Sequence, residues 1–168
     1  QELDRFESFV YAPVVPENIT ELTGICADDL VGAPPLASVL ERFRLFLGDS
    51  VFVAHNVKFD YGFIDASLQK CGFGMLLNRR LCTVELARRT IEAQRYGLGS
   101  LKELLGVQNV HHRAFSDAVS CFEIFKSALS RLPWSVQSTE DLILFSKTAK
   151  SLALPRPQLS ERGEGEIL

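Results

Sequence analysis

The chain has 168 residues, is 46% hydrophobic and carries a formal net charge of -3, enough apolar material for one soluble core with a short appendage and too acidic a balance for a protein that coats duplex nucleic acid. No uninterrupted apolar run approaches a membrane span, and no basic stretch leads into an apolar one at the N-terminus. A cytoplasmic domain with no membrane partner is therefore expected.

In chain order, residues 3 to 11, LDRFESFVY, read as a strand near a sheet edge, stopped by Pro13 and Pro16. Glu17 to Thr23 suits a short helical turn ended by Gly24, with Thr23-Gly24-Ile25 as the following loop. Leu36, Val39, Leu40, Phe43 and Leu47 recur at helical spacing between Pro34-Pro35 and Gly48. Val51 to Ala54 is a buried strand, followed by a turn with His55 and Asn56 and by a helix that should turn Phe59, Phe63 and Ile64 to the core. Leu81 to Val84 predicts another short strand, with Thr83 capping the next helix. Ser100 and Glu103 form a capping box for a short helix ended by Gly106. A long helix lined by Phe115, Val119, Phe122, Phe125 and Leu129 runs up to Pro133. The division expected is residues 1–132 as the domain and 133–168 as a C-terminal helix with a flexible tail, the tail beginning at Pro155. Ser138-Thr-Glu-Asp141 opens that last helix. Cys26, Cys71, Cys82 and Cys121 are scattered and predict buried thiols rather than disulfides or zinc ligands.

Two acids stand where chemistry is expected. Asp60 enters a helix just after a strand, and Asp117 enters the long helix five residues after His112. Ligands of open α/β sheets gather at the carboxyl ends of strands, and helix N-termini favour negative charge. Phosphodiester hydrolysis needs an activated water and charge stabilisation for the departing oxygen, and carboxylate-held divalent ions supply both. Asp60 and Asp117 are candidate metal ligands, with hard oxygens that favour Mg2+ or Mn2+. His112 is the candidate general base. Taken singly, each residue has a plainer reading as a helix cap or dipole partner; it is the combination that points to a site.

The motifs H-N-x-x-F-D at residues 55 to 60 and H-x-A-x-x-D at residues 112 to 117 resemble the second and third motifs of DEDDh-type 3'-5' exonucleases of the DnaQ-like family. Thr20-Glu-Leu-Thr-Gly-Ile25 and Leu81-Cys-Thr-Val-Glu-Leu-Ala-Arg88 resemble its flanking segments, and the similarity covers about residues 3 to 131. The resemblance implies an α/β, ribonuclease H-like fold, with a mixed five-stranded sheet flanked by helices. It implies Asp60 and Asp117 as metal ligands, His112 rather than His111 as the base, and Thr23, Gly24, Ile25, His55, Asn56 and Phe59 as substrate-binding residues. The implied reaction is release of nucleotides from single-stranded or frayed DNA 3' ends, with a DNA polymerase subunit as a possible partner. A family ribonuclease acting on RNA 3' ends, or a non-catalytic interaction module, are the alternatives.

The chain departs from the family in one respect: the first motif, Asp-x-Glu on the first strand, is absent. By the resemblance, residues 1 to 11 correspond to the third strand, so the first two strands are expected to be missing. That leaves two metal-binding acids unprovided and buried backbone groups unpaired, and the expectation is a truncated, poorly active form unless another segment or chain completes the sheet. The basic stretch from Arg79 to Lys102 reads either as a track for a nucleic-acid backbone or as a solvated helix face.

Overall fold

The computed structural model describes residues 2–107 and 114–155. Helix α1 (Glu17–Thr23) leads through a 3-10 turn at Asp28–Leu30 to helix α2 (Leu36–Leu47), strand β1 (Phe52–Ala54) and helix α3 (Val57–Lys70). Strand β2 (Arg80–Cys82) follows, then helices α4 (Thr83–Thr90), α5 (Leu98–Leu105), α6 (Ala114–Leu129) and α7 (Thr139–Thr148). The two strands are parallel, with Phe52 opposite Arg80, Val53 opposite Leu81 and Ala54 opposite Cys82. Parallel strands need a crossover, and α3 supplies it.

Three apolar clusters hold these elements together. Leu40 and Leu47 of α2 meet Leu68 of α3 and Leu76, with Phe52 of β1 packed against them. The tyrosine hydroxyl of Tyr61 donates to the carbonyls of Leu76 at 2.6 Å and Asn78 at 3.0 Å, and Asp65 accepts the Leu76 N–H at 2.7 Å, so the connection from α3 to β2 is pinned to the helix it leaves. A second cluster joins Ala87 of α4, Ile91, Tyr96, Leu101 of α5 and Ile124 of α6. The third sets Leu81 of β2, Leu86 and Ala128 against Phe125 and against Leu142, Ile143 and Phe145 of α7. α7 is therefore docked onto β2 and α4. It opens on a complete capping box: Ser138 Oγ accepts the Asp141 N–H, and Asp141 accepts the Ser138 N–H, both at 3.0 Å.

Several expectations change. Residues 3 to 11 form no strand; Phe6 instead packs on Phe43 and Phe46 of α2, because no described strand offers a ladder. Ser100 is not an N-cap: α5 starts at Leu98, capped by the extended residue Gly97, so Ser100 falls inside the first turn. Thr83 is the first residue of α4, and Cys82 holds the cap position. On α3, Ile64 faces the core but Phe59 and Phe63 are 72% and 65% exposed. On α6 the buried face is Ser120, Cys121, Ile124 and Ala128, whereas Phe122 is 42% exposed. Small residues there let α6 lie close on α4, Phe125 packs beside them, and Phe122 turns outward. Cys121 is buried, while Cys26, Cys71 and Cys82 are half-buried. The tail from residue 156 lies outside the described residues. Among the described residues, no helix is long and apolar enough to cross a membrane.

Candidate active site

The site is built at the carboxyl end of β1. Asn56 has φ 65° and ψ 53°, the one non-glycine residue with positive φ among those described. Asn tolerates this left-handed conformation better than most residues, so a single residue swings the chain from strand into helix. Asp60 consequently lies in the first turn of α3. Asp117 lies in the first turn of α6. The two carboxylates, from helices far apart in sequence, line one cavity of about 700 Å³ together with Val53, Phe59, Leu98 and Phe122. Burial raises the Asp60 carboxyl above its ordinary range, opposed in part by a hydrogen bond from its own backbone N–H.

His55 sits at the back of this cavity with both ring nitrogens engaged. Nε2 lies 2.9 Å from the Tyr96 carbonyl and Nδ1 lies 2.9 Å from Thr83 Oγ1. Thr83 is fully buried, and its hydroxyl is 3.6 Å from the Cys121 sulfur. Desolvation lowers the His55 pKa, against a smaller opposing effect of the Tyr96 carbonyl. Burial pushes the Cys121 thiol up to about 11, so it lines the cavity as a neutral thiol rather than a nucleophile.

The structure thus brings Asp60, Asp117, His55, Asn56 and Phe59 to one cavity. Thr23 and Ile25 line a different, apolar groove of about 400 Å³ beside Phe9, Val14 and Ile19. Gly24 closes α1 between them, its N–H on the Thr20 carbonyl at 2.7 Å. His111 and His112 lie outside the described residues. Thr83, Tyr96, Leu98 and Cys121 were missed as parts of the site. Thr83 reads as a cap and Cys121 as a core thiol, and nothing local in sequence announces that Thr83 meets both His55 and Cys121.

The edge of β1 away from β2 is open. Phe52 points its N–H to Arg79 on the β2 side, at 2.7 Å. Alternation then aims the Val53 backbone at the other edge, where no described residue pairs with it and the side chain is 37% exposed. Phe59 and Phe63 of α3 and Phe122 of α6 are exposed nearby or along the same helices. Among the described residues no cluster of three or more His, Cys, Asp or Glu could hold a metal. Asp60 and Asp117 are a donor pair of the right chemistry for a hard cation, but a partial set.

The basic stretch does not form one row. Arg79 pairs with Glu140, Arg80 lies over the Tyr61 ring, Arg88 over Tyr96, and Arg89 binds Glu85 at 2.8 Å; Lys102 is buried.

A family model described as exonuclease, of the RNase T type, matches residues 2–125. The chain belongs to this exonuclease family. It is 40% identical over 126 residues to PolC-type DNA polymerase III of Staphylococcus aureus, a match covering 73% of this chain and 9% of that protein, with the same values in strains MW2 and USA300. The chain thus spans about a tenth of the length of these relatives. Among solved structures, exonuclease X in complex with 5' overhanging duplex DNA superposes with a TM-score of 0.56 at 18% identity, covering 79% of this chain and 75% of that one. That likeness is one of fold, and it bears out the α/β, ribonuclease H-like class. The family is one of exonucleases, and the two motifs are those that resemble its DnaQ-like type.

Proposed function

We propose that the cavity between the first turns of α3 and α6 is the cleavage site of a metal-dependent 3'-to-5' exonuclease. It acts on single-stranded or frayed DNA ends, in a cytoplasmic proofreading or repair setting. The observation that carries this reading is the convergence of Asp60 and Asp117 on one cavity from separate helices. The name of the PolC-type relatives supports the replication setting and a polymerase partner.

Asp60 and Asp117 would hold Mg2+ or Mn2+, which when bound supplies an activated water and charge stabilisation for the leaving oxygen. The residues of the chain do the rest. Asn56 sets the turn that carries Asp60 to the cavity. Phe59, exposed at the cavity wall, offers a ring on which a base can stack. His112, five residues before Asp117, takes the proton from the attacking water. The groove of Thr23 and Ile25 receives apolar parts of the terminal nucleotide. Two carboxylates are too few for a two-ion site, and we assign the missing acids to a strand added along the open edge of β1 by another segment or chain. Without it, activity is impaired. The open edge also favours a second reading, in which the fold serves as an interaction module and does not cleave.

The test is a digestion of 5'-end-labelled and 3'-end-labelled single strands, DNA and RNA, with Mg2+ or Mn2+. It compares the chain alone, a version extended by an Asp-x-Glu strand, and the Asp117→Ala variant of each. Stepwise shortening of the 5'-labelled DNA by the extended form, abolished by Asp117→Ala, is the expected result. If RNA alone is shortened, the family ribonuclease takes its place. If neither form cleaves while both remain folded, the module reading replaces it.

A further inference from the structure

We propose that His55 is a positioning residue: its ring ties the turn that delivers Asp60 to the loop that carries the Leu98 wall, and it touches neither substrate nor metal. The inference rests on the reading of the cavity as the nuclease site.

The hydrogen-bond geometry assigns the ring. A carbonyl oxygen can only accept, so the 2.9 Å contact to Tyr96 puts the proton on Nε2. Nδ1 is then an acceptor, and the Thr83 hydroxyl at 2.9 Å donates to it. The Thr83 proton goes to Nδ1 at 2.9 Å rather than to the Ala54 carbonyl, which is farther at 3.5 Å, so Oγ1 is left as an acceptor 3.6 Å from the Cys121 sulfur, whose thiol proton can complete the series. Every polar group in this relay has a partner of the complementary kind. No ring nitrogen remains to ligate a cation, meet a phosphate or take a proton from water.

The ring also joins three segments at one point, next to the Ala54–Cys82 pairing of β1 with β2 and the packing of Tyr96 on Ala87. His55 leaves β1, Thr83 opens α4 at the end of β2, and Tyr96 belongs to the loop from α4 to α5. That loop is stiffened internally, since the Tyr96 hydroxyl donates to the Ile91 carbonyl at 2.7 Å and accepts the Ala93 N–H at 3.2 Å. From outside, the Leu154 N–H donates to the Ala93 carbonyl at 2.9 Å. Leu98, two residues beyond Tyr96, faces the cavity. Moving the Tyr96 carbonyl therefore moves a cavity wall, and the His55 ring sets where that carbonyl lies relative to Asn56 and Asp60.

Three substitutions separate the two halves of the link. His55→Gln can keep a donor at the Nε2 position and loses the Nδ1 acceptor; His55→Asn can keep an acceptor toward Thr83 and loses the reach to Tyr96; His55→Ala loses both. Amide hydrogen exchange at residues 96–98 should quicken about tenfold or more in His55→Ala and His55→Asn, the factor that a loss of roughly 1.4 kcal/mol gives. His55→Gln should restore protection. In the unsubstituted chain, long-range nitrogen-proton spectra of the ring should show the Nε2–H tautomer, unmoved by adding Mg2+ and thymidine monophosphate. A ring in the Nδ1–H form, ring signals that follow nucleotide or metal addition, or exchange that His55→Ala leaves unchanged would each overturn the assignment. Neither readout needs turnover, so an inactive chain would count against the nuclease reading alone.

Discussion

At the scale of single residues, His55 makes stability depend on pH in a way that can be signed. Its pKa in the folded chain lies below the ordinary 6.5 because the ring is desolvated. As pH falls below 6.5 the unfolded chain takes a proton that the folded ring refuses, so stability should drop from that point down to the folded pKa. The slope is at most about 1.4 kcal/mol per pH unit. Urea unfolding from pH 7.5 to 5 should show it, and His55→Gln should remove that share of the slope. Ile124 gives a second, simpler case. It is fully buried between α4, α5 and α6, so Ile124→Ala should cost about 2–5 kcal/mol in the same experiment. Ile124 is hard to single out from sequence, since the run of phenylalanines on the same helix gives a stronger apolar signal. Burial on α6 went to the residues whose size fits between helices.

At the scale of elements, the boundaries that carry strong local chemistry were legible. Ser138 and Asp141 cap α7 reciprocally, as their spacing predicts, and hydrogen bonds from the Ser138 side chain and from the Gln137 and Ser138 N–H groups hold the Asp141 pKa down. Ser138→Ala should lower stability by about 1 kcal/mol in thermal or urea unfolding. A depressed carboxylate pKa stabilises above its unfolded value, so the part contributed by Asp141 should vanish as pH falls through the folded pKa. α7 was read from its cap, but its seat against Leu81, Leu86 and Ala128 depends on long-range packing that no window of sequence contains. The strand expected at residues 3 to 11 failed for a related reason. A strand is defined by its neighbour, and β-propensity without a partner leaves only an extended segment that anchors Phe6 on α2. Both acids of the site were legible because each stands in the first turn of a helix with a clear apolar pattern. Thr83 and Tyr96 were not, because their role is fixed by a contact with His55 across the fold.

At the scale of the molecule, the two parallel strands are the seam on which the helices are arranged, and that seam stops at β1. An edge at which no described strand pairs with β1, close to exposed aromatic rings, also accepts pairings that have nothing to do with catalysis. A second molecule can dock its own β1 there. Colloidal behaviour should therefore vary steeply with concentration: static light scattering should grow as the protein is concentrated, and Val53→Lys, which puts a charge on that edge, should suppress the growth. Handling the isolated chain dilute and cold would then prolong its life in solution, since the same backbone groups that wait for a strand are the template on which chains would otherwise stack.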